Sequence, residues 1–320
     1  MTKRRIVFFG TPNFAVTILE FLQNTDIRPL LIITAPDKAR GRGKKILPTP
    51  VKTWALIHNI EVAAPEVLND QLLTNKLVKI KPELFIVAAY GKILKKNYLQ
   101  IPSEGVLNIH PSLLPKYRGA APIQGALLHG EKETGVTIIL MDEQMDHGPI
   151  LAQEKINILE EDDSVTLSHK LAGLGGKLLI ETISSWFERK ITPLQQNHKE
   201  ATFTKSIDKS EGKIDWQKEA EAIVRYVKAY KLWPISWSVL NINGKKIRIK
   251  ILKAKLADDN SKGIKAGTLI KKNGDMYVAT KDVFLRLDEL QPEGRKAMPG
   301  RDFMRGLPLS SADKPLAFDT

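Results

Sequence analysis

The chain has 320 residues, 42% of them hydrophobic, with 49 Lys and Arg against 36 Asp and Glu and a formal charge of +13. That length suits two domains with real cores and excludes a disordered tail. Zero cysteines remove disulfides, thiolate metal sites and cysteine nucleophiles together, six scattered histidines leave a metal cluster little to build on, and no apolar run approaches the roughly 18–20 residues that span a bilayer. The opening Met1-Thr-Lys-Arg-Arg has no cleavage pattern, so a cytoplasmic protein is expected.

Arg5–Gly10 reads as a short apolar strand ending in glycine. Thr11 is placed to cap a helix whose first turn tolerates Pro12, with Phe14, Ile18, Phe21 and Leu22 on one face. Further strands are predicted at 30–34, 84–89, 105–110 and 134–141, with helical patterns between several of them. Buried strands separated by helices mean a mostly parallel sheet in an α/β domain. The first turn reads Gly10-Thr-Pro-Asn-Phe-Ala and lacks G-x-G-x-x-G, which counts against a bound dinucleotide. A long helix over about 164–189 closes this domain, with Gly173, Gly175 and Gly176 allowing close packing.

The polar stretch 191–206 suits a linker. After it come a helix over 218–230 and strands at 236–242, 246–255, 267–271, 276–279 and 283–290, with hairpin turns at Asn243-Gly244 and Asn273-Gly274. The fold class is therefore α/β: a Rossmann-like, mostly parallel sheet domain (1–190), then a small OB-fold-like β-barrel (207–320). Charge follows the same division. Residues 201–320 carry 24 basic against 15 acidic side chains, while 1–200 carry 25 against 21. Such asymmetry points the second domain toward a polyanion. Its stripe holds Lys245, Lys246, Arg248 and Lys250; Trp233 and Trp237 nearby read as core residues. In the first domain Arg40, Arg42, Lys44 and Lys45 share a glycine-rich loop, expected to be mobile, which suits phosphate contacts.

The densest chemistry lies in Gly105-Val-Leu-Asn-Ile-His-Pro-Ser-Leu-Leu-Pro115. Strand alternation puts Asn108 and His110 on one face, at the carboxyl end where open α/β sheets form their crevice. An amide donor beside an imidazole can stabilise an oxyanion and handle a proton. The loop Met141-Asp-Glu-Gln-Met-Asp146-His-Gly148 could bring a carboxylate to His110, or could form a divalent-cation site or a solvated turn.

These residues resemble the 10-formyltetrahydrofolate-dependent formyltransferases. The resemblance runs through Val7–Ala15, Pro36-Asp37 with Gly41–Lys45, Ala88–Lys92, Asn108-Ile-His110 with Ser112–Pro115, Lys116–Gln124 and the Asp146 loop. It covers essentially the whole chain, and the basic loop and basic second domain narrow it to members acting on tRNA. It implies catalytic roles for Asn108, His110 and Asp146. It also implies a folate site lined by Ser112, Leu113, Leu114 and Pro115, with Ala88, Ala89, Tyr90 and Gly91 beside the pterin. The implied substrates are 10-formyltetrahydrofolate and methionyl initiator tRNA, with no metal, and the chain is expected to be a monomer. Gln144, His147, Gly125 and the Lys38-Ala-Arg40 stretch depart from the family's pattern.

The reaction so implied is direct transfer of a formyl group to the methionyl amine through a tetrahedral intermediate. Asn108 would hold the oxyanion, a role worth about 3–4 kcal/mol in related chemistry. His110 would take the amine's proton or, charged, steady the oxyanion, and Asp146 would hold the ring. Three rivals remain: a formyltransferase for a small amine, a non-catalytic nucleic-acid-binding protein, and a metal-dependent hydrolase using Asp142, Glu143 and Asp146.

Overall fold

The computed structural model describes residues 3–319 except 41, 42, 44, 69, 243 and 309–315. The chain divides into two compact units. The first comprises Met1–Pro122, Lys132–Ile158 and Thr166–Lys205; the second comprises Ile123–Glu131, Leu159–Val165 and Ser206–Thr320.

The first unit is built on seven strands: β1 (Ile6–Gly10), β2 (Leu31–Ile33), β3 (Glu61–Ala63), β4 (Leu84–Ala88), β5 (Val106–His110), β6 (Glu133–Leu140) and β7 (Ile150–Asn157). Their order across the sheet is β7-β6-β5-β4-β1-β2-β3. β3, β2, β1, β4 and β5 run parallel, β6 lies antiparallel to β5, and β7 antiparallel to β6. The chain moves from β1 outward through β2 and β3, then returns to β1's other side as β4. That reversal is a topological switch point, where the carboxyl ends of the strands open a crevice. β1, β4 and β5 are buried along their whole length, as strands covered on both faces must be.

Helix α1 (Asn13–Leu22) begins one residue later than the sequence implies. Pro12 is its cap and no side chain caps it; Thr11 instead donates its hydroxyl to the Tyr90 carbonyl, 3.0 Å away. The first turn is thereby pinned to the chain beyond β4. Helices α2 (Pro50–Ile57) and α3 (Gln71–Ile80) follow, capped by the Thr49 and Asp70 side chains. The long helix α4 (Ser164–Phe187) packs as its small residues permit: a Cβ at Gly175 would crowd Ile109 of β5, and one at Gly176 would strike the Phe21 ring, whereas Gly173 faces open space.

Lys38–Arg40 and Lys45–Leu47, expected within and beside a mobile loop, pair as antiparallel strands, Arg40 opposite Lys45. Arg42 and Lys44 lie outside the described residues. The polar stretch read as a linker runs along this unit. Leu194 bridges Ile150, and Phe203–Thr204 pairs in parallel with Arg118–Gly119.

In the second unit helix α5 (Ala220–Ala229) precedes β8 (Trp237–Ile242), β9 (Lys245–Asn260), β10 (Leu269–Lys272), β11 (Asp275–Ala279) and β12 (Val283–Pro292). The strands form an antiparallel sheet ordered β8-β9-β12-β11-β10. Register shifts along the 16-residue β9 bend it, as bulges do. The sheet curls until the C-terminal Ala317–Phe318 bridges both edges, at Thr268 before β10 and Leu240 of β8. Trp216 and Phe318 stack in its core, ring centroids 5.1 Å apart. Lys246 and Arg248 are exposed on the outward face of β9, opposite the buried Ile249 and Ile251. The tryptophans are not the core residues the sequence implied. Trp237 is half-buried beneath the Arg248 guanidinium, 4.0 Å from its ring centre. Trp233 is 53% exposed, because it sits in the turn between α5 and β8, outside the periodicity of either. Among the described residues no helix is long and apolar enough to cross a membrane.

Candidate active site

The pleat of β5 sends Leu107 and Ile109 to one face and Asn108 and His110 to the other. Asn108 lies opposite Val87 of β4 and His110 opposite Thr137 of β6. Both polar residues are buried, with His110 4% and Asn108 9% exposed, so each must find a partner. They share one. The Asn108 amide donates to Asp146 Oδ1 at 3.2 Å, and His110 Nδ1 stands 3.5 Å from the same oxygen. Asp146 Oδ2 accepts from the Gly119 N–H at 2.8 Å. The amide, imidazole and carboxylate singled out in the sequence therefore converge at the carboxyl end of β5, next to the switch point.

The ring of His110 is oriented from its far side. Its Nε2 is 2.9 Å from the Tyr117 carbonyl oxygen. A carbonyl only accepts, so Nε2 carries a hydrogen and, in the neutral ring, Nδ1 carries the lone pair. The basic nitrogen is thus the one beside Asp146.

Gly119 illustrates how the backbone is made to fit. It has φ +109, and a Cβ there would collide with the Thr204 carbonyl oxygen. Glycine alone lets the 117–119 turn pass under Phe203–Thr204 while aiming an N–H at Asp146.

The residues of the 112–115 stretch are held tightly. Ser112 is fully buried and donates to the Lys116 carbonyl at 2.7 Å. Thr137 donates to the Ser112 carbonyl and accepts from the Leu114 N–H, while Gln153 donates to the Leu114 carbonyl. Leu114 is buried, and Leu113 and Pro115 are half-buried. Beyond β4, Ala89 (φ +48) and Gly91 (φ +81) remain exposed, whereas the Tyr90 ring turns inward and meets Phe9 edge-on at 5.4 Å. The exposed Ala89 and Gly91 thus follow the end of β4, whose Val87 lies opposite Asn108. Such a rim suits a flat heterocycle read by peptide groups, so the residues present fit a folate-type donor.

The three acids of the loop after β6 are taken by different partners. Asp142 accepts from the His147 ring at 2.6 Å, Glu143 pairs with Lys96 at 3.1 Å, and Asp146 serves Asn108 and Gly119. That separates the ligand set on which a metal-dependent hydrolase would depend.

Several residues around the site carry no sign of their role in the sequence. Gln196, 5% exposed, donates through Nε2 to the backbone carbonyls of Asp146 (2.9 Å) and Gly148 (2.7 Å), and accepts from Arg118 at 2.7 and 3.2 Å. Arg118 is 3% exposed; burial lowers its pKa, opposed by the charges of Asp146 and Asp142. Gln196 lies in a polar, irregular stretch, and nothing in its local pattern separates it from a solvated connector.

Known proteins resemble the chain over most of its length. The formyl transferase family matches residues 4–183, and the formyl transferase C-terminal domain matches 206–308. The methionyl-tRNA formyltransferase of Thermodesulfovibrio yellowstonii is 43% identical over 301 residues, 94% of this chain and 95% of that protein. That of Caldicellulosiruptor saccharolyticus is 43% identical over 312 residues, 96% and 98% of the two chains. Among solved structures, an N-formyltransferase from Helicobacter canadensis in complex with folinic acid and dTDP-3-aminofucose superposes with a TM-score of 0.65 at 21% identity, covering 89% of this chain and 98% of that one. The sugar 3N-formyl transferase WlaRD, in the presence of dTDP and 5-N-formyl-THF, gives 0.63 at 23% identity, over 92% and 99%. At those identities the likeness is one of fold.

Proposed function

The chain belongs to the formyl transferase family, and on that premise we propose that it transfers a formyl group from 10-formyltetrahydrofolate to the α-amine of methionyl initiator tRNA. The observation that carries this reading is the convergence of Asn108 and His110 on Asp146, in a chain matched over 94% and 96% of its length by relatives bearing that activity's name.

The donor, when bound, supplies an activated formyl carbon. Ala88–Gly91, Leu113 and Pro115 would hold its ring system. The amine nitrogen attacks the formyl carbon, the bond from that carbon to the folate nitrogen breaks, and one proton must pass from the amine to that nitrogen. His110 Nδ1, kept basic by the Nε2–H bond to Tyr117, takes the amine's proton. Asp146 lies 3.5 Å away and steadies the charge the ring acquires. Asn108 has two amide hydrogens; one holds Asp146, the other serves the formyl oxygen as negative charge builds on it. His110 then passes the proton to the departing nitrogen, and the ring is reset.

The outward charges of β9, namely Lys246, Arg248 and Lys250, with Lys245 exposed at the strand's start on its other face, together with Arg40, Arg42, Lys44 and Lys45 of the first unit, would grip tRNA phosphates. A small-amine acceptor would leave the basic second unit without a purpose. The deciding assay offers 10-formyltetrahydrofolate with charged initiator tRNA, charged elongator tRNA and glycinamide ribonucleotide in turn. Formylation of the first alone is expected; formylation of the small amine instead would overturn the reading.

A further inference from the structure

Asp146 serves an amide, a ring and a peptide N–H at once from a backbone held at φ +50. That is the left-handed region, which side chains other than glycine adopt only when local contacts hold them there. Much of that hold comes from one side chain. Gln196 Nε2 donates to the carbonyls on either side of His147, those of Asp146 and Gly148. Its Oε1 faces the other way and accepts both Arg118 bonds. The position calls for a donor at one end and an acceptor at the other. A glutamate would set a carboxylate oxygen against two carbonyls, and an apolar residue would strand a buried guanidinium.

Arg118 is held in turn. Its guanidinium is 2.8 Å from His198 Nδ1. A guanidinium only donates, so that nitrogen carries a lone pair and the ring is neutral while the bond persists. The His198 ring lies flat on His147, with centroids 4.0 Å apart and planes 4° from parallel, and His147 Nδ1 faces Asp142 Oδ2 at 2.6 Å. The charged and titratable groups around His198 are therefore Arg118 beside Gly119, His147 and Asp142 on the loop after β6, and its chain neighbours Lys199 and Glu200. Loss of water, then His147 and Arg118, hold its pKa below the ordinary histidine value, with Asp142 opposing.

We propose that Gln196 is the positioning residue of the Asp146 loop, and that His198, which secures Arg118 only as a neutral ring, makes that positioning depend on pH. The proposal rests on the reading of Asp146 as a catalytic group and deepens it. As pH falls and His198 takes a proton, an N–H and a like charge replace the lone pair facing Arg118, so the guanidinium loses that bond and is pushed from its place, loosening the pair of bonds by which it anchors Gln196.

The test uses the full chain with 10-formyltetrahydrofolate and charged initiator tRNA, comparing wild type with Asp146→Asn, Gln196→Glu and His198→Asn. Gln196→Glu keeps the acceptor for Arg118 and removes both donations to the loop. It is expected to lower kcat about tenfold or more, as a misplaced group does, while both KM values stay near wild type. Should that variant fail to unfold cooperatively, Gln196→Asn, which keeps both a donor and an acceptor but draws them back by one carbon, takes its place with the same expectation. His198→Asn keeps an acceptor that takes no proton, so the acid limb of its kcat profile should be less steep than wild type. Wild-type kcat in the Gln196 variants, an equal loss in kcat and KM, or an unchanged acid limb in His198→Asn would each overturn the proposal. An active Asp146→Asn would instead sink the reading of the site, whatever Gln196 does.

Discussion

His110 and Tyr117 are joined by a 2.9 Å hydrogen bond from the imidazole Nε2 to the backbone carbonyl, and this bond decides which ring nitrogen can accept a proton. Nδ1, the nitrogen left basic, is the one facing Asp146. Replacing His110 with alanine should lower kcat by about 10²–10⁴, while equilibrium binding of the folate donor, measured by fluorescence titration, stays close to wild type.

Asn108→Ala removes an oxyanion donor and one partner of Asp146. A loss in kcat of about 10²–10³ is expected, with a smaller change in KM for either substrate. Steady-state kinetics reads both. A change confined to KM would assign Asn108 to ground-state binding.

Gly119→Ala places a methyl group against the Thr204 carbonyl oxygen and a side chain at φ +109. The strain, about 1–3 kcal/mol, should lower the melting temperature. The N–H that serves Asp146 moves with it, so kcat should fall as well. Calorimetry and turnover on the same preparation measure the two effects.

Asp282 caps α5 from a distance, its carboxylate accepting from the Ala220 N–H at 2.9 Å and from the Thr280 hydroxyl at 2.9 Å. Desolvation acts to raise its pKa, but N–H bonds from Ala220 and Val283 and the bond from Thr280 outweigh it and hold the carboxyl below the usual range. The folded state therefore favours the charged form. Its stabilisation is complete above the unfolded aspartate value, about 4, and is lost as pH falls through the lower folded value. Asp282→Ala should cost ~1 kcal/mol at neutral pH, and the difference from wild type should close in acid. Urea melts at several pH values check both statements.

Lys246, Arg248 and Lys250 alternate on one face of β9. Replacing all three with alanine should raise KM for tRNA and leave kcat nearly unchanged. For every phosphate left without its cation, the slope of log affinity against log salt should fall by about 0.7–0.9. Filter binding over a salt series gives that slope, and an unaltered one would remove these residues from the tRNA interface.

Much of the molecule is legible as pattern. Apolar strands ending at Gly10 and His110, the leucine spacing of α4 and the Asn273-Gly274 turn are local signals, because strand and helix periodicities are properties of neighbouring residues; the Asn243-Gly244 turn lies partly outside the described residues. Alternation along β5 also places Asn108 and His110 on one face before any coordinates exist. Trp233 departs from its expected burial for the complementary reason: burial depends on what packs against a side chain, and the turn after α5 packs little over it.

What only the tertiary structure decided is who meets whom. Asp146 reaches Asn108 across 38 positions, and Gln196 reaches the Asp146 carbonyl across 50 and Arg118 across 78. Such pairings are set by strand order and by the path of a polar segment over the first unit, and no local periodicity encodes either. The sequence by itself offers an amide beside an imidazole at 108 and 110, and only its family resemblance singles out Asp146 as their partner. The tautomer of His110, the strained turn of Asp146 and the amide that holds it exist only once the strands are paired, because each depends on a hydrogen bond between groups that the chain alone keeps apart.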